Sequence, residues 1–127
     1  MIYAVDDNVS FLKALLRLVR TAGIQAEGFG SAQELAERLP LPEHVCLIID
    51  IVLGRDNGLD VPQQLRDHGE APPFIFMSAT EDEALLVRAE KLSGQPCLHK
   101  PFEVEDLFEA LRCTMQLHEK RGLKSIG

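Results

Sequence analysis

Five residues of this 127-residue sequence could do chemistry together if the chain brought them to one place: Asp6, Asp7, Asp50, Ser78 and Lys100. Each follows a short apolar run. Asp6 and Asp7 come after Ile2-Tyr3-Ala4-Val5, and Asp50 after Val45-Cys46-Leu47-Ile48-Ile49. Ser78 follows Phe74-Ile75-Phe76-Met77, and Lys100 follows Pro96 to His99. Three carboxylates in one pocket repel by about 4 kcal/mol per pair at 4 Å with an effective dielectric of about 20, so they share a proton or hold a cation. Hard oxygens without His or Cys nearby favour Mg²⁺, with Mn²⁺ as the alternative. A carboxylate in such a site can act as a nucleophile toward phosphorus, while an ammonium and a hydroxyl hold the phosphoryl oxygens. Taken singly the residues have plainer roles: Asp7 or Asn8 as a helix cap, Asp50 as a turn former, Ser78 as an N-cap, Lys100 as a solvated charge. The joint pattern outweighs these, because strand ends rarely gather three acids and a lysine without a metal or substrate.

The elements that must position these residues are legible as an alternation of apolar runs and helix-period segments. Val9, Leu12, Leu15, Leu16 and Val19 recur at helical spacing up to Gly23. Residues 24–29 read as a weaker strand. Ser31 with Glu34 forms a capping box for a helix closed by Pro40 and Pro42. Residues 54–58 read as a loop, 59–68 as a short helix with Pro62 in its first turn, 82–92 as the fourth helix and 104 to about 118 as the last. Pro96 opens a short fifth strand and marks it as an edge. Five β–α units predict an α/β fold with a parallel, doubly wound sheet. In such a sheet the carboxyl ends of the strands share one edge, and ligands bind in the crevice where strand order reverses.

Composition bounds the rest. Thirteen Lys+Arg against twenty Asp+Glu leave a net charge of −7, which argues against nucleic-acid binding by this chain alone. No apolar run reaches the length of a membrane span, and Met1 to Val5 lack a signal peptide's basic start, so the expected location is the cytoplasm. Cys46, Cys97 and Cys113 are an odd number at long spacings, without disulfide or zinc pattern, and Cys46 and Cys97 are expected to be buried thiols. His44, His68, His99 and His118 show no ligand spacing and are expected on the surface. One domain over residues 1–120 is expected, with 121–127 as a loose tail too short for an output domain, whether the chain is a stand-alone unit or part of a longer regulator.

Val5-Asp6-Asp7-Asn8, Leu47-Ile48-Ile49-Asp50, Phe76-Met77-Ser78-Ala79 and Lys100-Pro101-Phe102 resemble the receiver domain of two-component response regulators, most closely receivers of the FixJ type. The resemblance covers residues 1–118. It implies a flavodoxin-like three-layer (βα)5 sandwich with strand order 2-1-3-4-5. It implies that Asp50 accepts a phosphoryl group from a sensor histidine kinase or histidine phosphotransfer protein. Mg²⁺ would be bound by Asp7, Asp50 and the Val52 carbonyl directly, and by Asp6 mostly through water. Ser78 would be the switch hydroxyl, Lys100 the phosphate contact, and Lys100–Pro101 a cis peptide. A phosphorylation-dependent homodimer would use the face of the last two helices and fifth strand, with Leu85, Leu86, Phe102, Phe108 and Met115, although most of these read as core.

Four positions depart from the family pattern. Gly54 stands where a proline is usual and is expected to loosen the loop after Asp50. Ser93-Gly94 replaces Gly-Ala before the fifth strand. Cys97 holds the aromatic switch position, so signalling is expected to rely on the loop 78–80 and the fourth helix. Val52 and Thr80, two residues beyond Asp50 and Ser78, carry neither acid nor amide to orient water, which predicts slow dephosphorylation. Other readings ask for features the chain lacks. An aspartyl-phosphate phosphatase wants an acid at Val52, and a flavodoxin-like ligand binder wants a Gly/Ser/Thr-rich loop after the first strand. A pseudo-receiver would have lost part of the five-residue set.

Overall fold

The computed structural model describes the backbone of residues 1–126 and the side chains of residues 1–117. Its centre is a five-stranded parallel sheet of β1 (Ile2–Val5), β2 (Ala26–Phe29), β3 (Cys46–Asp50), β4 (Phe74–Ser78) and β5 (Leu98–His99), in the order β2-β1-β3-β4-β5. The helices are α1 (Val9–Thr21), α2 (Ala32–Ala36), α3 (Val61–Asp67), α4 (Glu83–Ser93) and α5 (Val104–Ile126). Strand side chains alternate between the two faces. Tyr3, Val5, Leu47, Ile49 and Phe76 pack with Leu35, Val61, Leu65 and Ala89 of α2, α3 and α4. Ile2, Ala4, Ile48, Ile75 and Met77 pack with Leu15 and Val19 of α1 and Leu107 and Leu111 of α5. Both faces are covered, so β1, β3 and β4 read as continuous apolar runs. Among the described residues no helix is long and apolar enough to cross a membrane.

Side-chain caps fix where the helices start. Asn8 accepts from the Phe11 N–H at 3.0 Å, so Asp7 is not needed as a cap. Ser31 accepts from the Glu34 N–H, while the Glu34 carboxylate accepts from the Gly30 N–H. Asp82 accepts from the N–H groups of Ala84 and Leu85, which releases Ser78 from any capping role.

Several boundaries differ from the sequence reading. β2 begins at Ala26, the first residue in register with β1. α2 stops at Ala36, before the stretch that Pro40 restricts. β5 is only Leu98–His99, because Pro96 offers no ladder N–H. A 3-10 turn over Gly58–Asp60 precedes α3. α5 runs beyond residue 118 to Ile126, so 121–126 is helical where a loose tail is expected; apart from Gly122, most residues there are good helix formers and none is proline. Within α1, Val9 is 63% exposed and Phe11 turns inward instead. Cys46 is buried as expected, whereas Cys97 is only half-buried. His44, His68 and His99 are exposed, and the side chain of His118 lies outside the described residues. Leu85, Leu86, Phe102, Phe108 and Met115 are all partly buried against the two cores.

The segment after β3 departs most. Instead of a loosened loop, Val52–Leu53 and Asp56–Asn57 form a small antiparallel hairpin. Its two-residue turn starts at Gly54 with φ +60°, the type II′ pattern that favours glycine at that position and that proline's fixed negative φ forbids. The hairpin ends on Gly58, whose N–H donates to the Ile51 carbonyl at 2.7 Å. A Cβ on Gly58 would fall 1.8 Å from the Asp50 carbonyl oxygen. That contact is backbone against backbone, so Gly58→Ala forces either Asp50 or the hairpin to move. We expect it to destabilise the chain by at least about 3 kcal/mol in urea denaturation, well beyond the range of surface substitutions; a midpoint equal to the parent's would show that the segment yields freely.

Candidate functional site

Strand register assembles the site. Val5 lies opposite Ile49, which sets Asp6 beside Asp50; Asp50 lies opposite Met77, and Ser78 opposite His99, one residue before Lys100. Residues far apart in sequence thereby reach the same carboxyl edge of the sheet. Asp6, Asp50 and Ser78 are buried, and Asp7 is exposed at the rim. One carboxylate oxygen from each of Asp6, Asp7 and Asp50 lies within 4.8 Å of the others.

Lys100 is the cation facing them. Its Nζ donates to Asp6 Oδ2 at 2.5 Å and to Asp50 Oδ2 at 2.6 Å. It also stands 4.0 Å from the centroid of the Phe11 ring. The second oxygen of each buried acid is held by main chain. Asp6 Oδ1 accepts from the Asn8 N–H, and Asp50 Oδ1 from the Val52 N–H, both at 2.9 Å. The Lys100–Pro101 peptide is cis, as is Leu39–Pro40. The Lys100 N–H donates to the Ser78 carbonyl at 2.8 Å, joining β5 to β4. The Ser78 hydroxyl accepts from the Thr80 N–H at 2.9 Å, which ties the loop after β4 to the site.

The hairpin completes one wall. Ile51 is bonded to the Gly58 N–H and Leu53 is paired with Asp56 at the turn, so Val52, opposite Asn57, occupies a non-hydrogen-bonded position of the ladder. Its N–H and carbonyl therefore point away from the partner strand, and the N–H is already on Asp50. Gly54 lies near the third acid: a Cβ there would fall 3.4 Å from Asp7 Oδ2. The Val52 side chain is 52% exposed and offers no polar group at the mouth.

The electrostatics follow from burial. Asp50 is held above its ordinary carboxylate range, first by desolvation, with the Lys100 and Val52 hydrogen bonds working against the rise. Burial alone would lower Lys100, but its hydrogen bonds to Asp50 and Asp6 and their charges outweigh that and leave it raised. The Cys97 thiol is pushed up to about 11 by burial and by the charge of Asp50, so it stays protonated and poorly nucleophilic at neutral pH. Cys46, deeper, is raised to about 12 by burial.

The structure thus brings Asp6, Asp7, Asp50 and Lys100 into one cluster, sets Ser78 beside it in register, and leaves Cys97 close enough to feel Asp50. An all-oxygen set of three acids suits a hard divalent cation, and among the described residues no His or Cys joins the set. Sequence reasoning missed two residues. Gly58 carries a signal in the Asn57-Gly58 pair, a turn marker that by itself does not tell a hairpin from a loop. Phe11 carried none, being one apolar residue among many on α1.

Comparison with known proteins agrees with this geometry. Residues 2–112 match the family model described as the response regulator receiver domain. The response regulator protein TodT of Pseudomonas putida is 37% identical over 117 residues, covering 92% of this chain and 52% of TodT. The transcriptional regulatory protein FixJ of Bradyrhizobium diazoefficiens is 28% identical over 118 residues, 93% of this chain and 58% of FixJ. The structure of response regulator StyR superposes with a TM-score of 0.82 at 31% identity, covering 98% of this chain and 63% of StyR. The chain belongs to the response regulator receiver family, whose members are signalling domains of two-component systems. It spans about half the length of the curated relatives it matches.

Two substitutions should move stability in opposite directions. Because Asp50 is raised, the folded state binds its proton more tightly than the unfolded chain does. Its favourable contribution is present at low pH and lost as pH rises through the folded value, so the ionised carboxylate is a burden at neutral pH. Asp50→Asn should therefore raise the melting temperature at pH 7 without divalent cations, and the gain should vanish as pH falls into the carboxylate range. Lys100→Met strands Asp6 and Asp50 and should lower stability by about 3–5 kcal/mol under the same conditions. Thermal and urea unfolding read both; the same sign for the two variants would contradict this electrostatic account.

Proposed function

We propose that this chain is a phosphorylation-activated switch in which Asp50 takes a phosphoryl group from the phosphohistidine of a sensor kinase or phosphotransfer protein. The observation that carries the reading is Asp50 itself: a buried carboxylate with Oδ1 fixed by the Val52 N–H and Oδ2 bridged to Lys100, beside two further acids. In the transfer, an Asp50 oxygen attacks phosphorus while the P–N bond breaks, its electron pair leaving with the imidazole, which takes a proton from solvent. The product is an aspartyl phosphate. Asp7 and Asp50 would hold Mg²⁺ together with the Val52 carbonyl, whose orientation out of the hairpin ladder supports that role. Asp6 would act mainly through a bound water. When bound, the ion supplies positive charge against the phosphoryl oxygens.

Lys100 would leave its Asp50 oxygen for a phosphoryl oxygen while keeping Asp6. Ser78 would turn its O–H, which donates to no group among the described residues, to another, and its bond from the Thr80 N–H would transmit that movement to the loop leading into α4. Cys97 is too small to act as an aromatic lever, so the output passes through residues 78–82 and α4. Residues 1–120 form the switch domain in this reading, the location is the cytoplasm, and the active form binds a partner or a second copy. A phosphoryl mimic that left residues 79–92 unchanged would contradict the proposed route.

Incubation with acetyl phosphate and Mg²⁺, followed by intact-mass measurement, should give one phosphoryl adduct per chain. Omitting Mg²⁺ or substituting Asp50→Asn should abolish it, and an adduct that survives Asp50→Asn would place the acceptor elsewhere. The adduct should decay slowly, because exposed Val52 cannot orient water; a half-life of seconds, lengthened by Val52→Ala, would overturn that part.

A further inference from the structure

An ammonium has three N–H donors, and Lys100 uses two of them on Asp6 and Asp50. The third side of the head group meets no oxygen among the described residues; it meets the Phe11 ring, 4.0 Å from Nζ to the centroid. This is the geometry of a cation over an aromatic face, and it is more favourable where water is excluded. The ring is itself held. Phe102, two residues beyond Lys100, places its own ring at 5.9 Å and 83° to that of Phe11, an edge-to-face contact. The Phe11 N–H is bonded to the Asn8 side chain, and the Asn8 N–H to Asp6 Oδ1. A closed circuit results: Asp6 fixes Asn8, Asn8 fixes Phe11, Phe11 faces Lys100, and Lys100 returns to Asp6.

Packing alone does not ask for an aromatic side chain here. Leu12 and Leu16 lie against the same core from the same helix, and a leucine at position 11 would fill comparable space. What only an aromatic face supplies is attraction for the cation without an acceptor oxygen that would compete with the phosphoryl group.

We infer that Phe11 is a positioning residue for phosphoryl transfer, its ring holding the Lys100 ammonium toward Asp50 and away from solvent. The inference rests on the reading of Asp50 as phosphoacceptor and assigns α1 a part in the chemistry that no acid or hydroxyl reveals. An oxygen-free wall lets Lys100 exchange one Asp50 oxygen for a phosphoryl oxygen without breaking a third hydrogen bond. With the ring gone, the head group gains rotamers that face water, and fewer molecules present it to the incoming phosphate.

The test compares Phe11→Leu, Phe11→Met and Phe11→Tyr with the parent in two measurements. The first is the ring-current shift of the Lys100 ε-methylene protons in the metal-free protein, which reports the contact without any phosphorylation. The second is the rate of adduct formation with acetyl phosphate and Mg²⁺. We expect the leucine and methionine variants to lose the upfield shift and to react on the order of threefold to tenfold more slowly, and the tyrosine variant to keep both near the parent's values. Methionine serves if the leucine variant does not fold. A lost shift with an unchanged rate overturns the inference, as does a tyrosine variant slowed as much as the leucine one, since the position then matters only for packing. A parent that shows the shift but takes up no phosphoryl group overturns the phosphoacceptor reading and this role with it, while a parent lacking the shift overturns the contact alone.

Discussion

Burying negative charge is the constraint around which this molecule is arranged. Asp6 is fully buried and Asp50 nearly so, at the ends of adjacent strands, with Asp7 at the rim. Desolvated carboxylates at this spacing are unfavourable unless a cation joins them. Lys100 is that cation from within the chain, bridging both buried acids at 2.5 and 2.6 Å. Its single charge balances only part of the cluster. The remainder is an excess of oxygen donors; in the proposed reading a divalent ion would answer it and make a phosphoryl group tolerable beside the acids.

The fold exists in this form because a parallel sheet delivers such a cluster cheaply in sequence terms. Each loop after a strand needs to present one or two polar residues, and register does the rest. Helices on both faces keep β1, β3 and β4 dry, so charges at their ends are felt strongly. The hairpin after β3 adds a second layer of control. Gly54 makes its turn, Gly58 allows its closure onto the Asp50 backbone, and the non-bonded position of Val52 leaves that residue's amide on Asp50. On the other side the lysine faces the carbon of the Phe11 ring, against which the Phe102 ring packs edge-on.

How much of this was legible in the sequence differs by element. The strands were legible where both faces are covered, because Val45 to Ile49 and Phe74 to Met77 leave no alternative to burial. Asp6, Asp7, Asp50, Ser78 and Lys100 were legible because each breaks an apolar run with a group that chemistry can use. Short elements were not. The hairpin rests on one positive φ and four residues, too few for any periodicity to announce, and the family's proline at position 54 suggested the wrong consequence for its absence. Glycine there closes a turn that proline cannot make. The length of β5 depended on which N–H groups β4 could meet, which no pattern within residues 96–99 encodes. Phe11 was invisible for a different reason: its role depends on where Lys100 lies, and the distance between them in sequence carries no signal.

The central claim is that the three acids form one cation site whose occupancy prepares Asp50. Calorimetric titration of the chain with Mg²⁺ tests it most directly. The account predicts a single saturable site per chain, weakened strongly by Asp7→Asn and tightened when Lys100 is replaced by methionine, because the internal cation no longer competes for the same oxygens. Absence of binding, or an affinity indifferent to both substitutions, would contradict it.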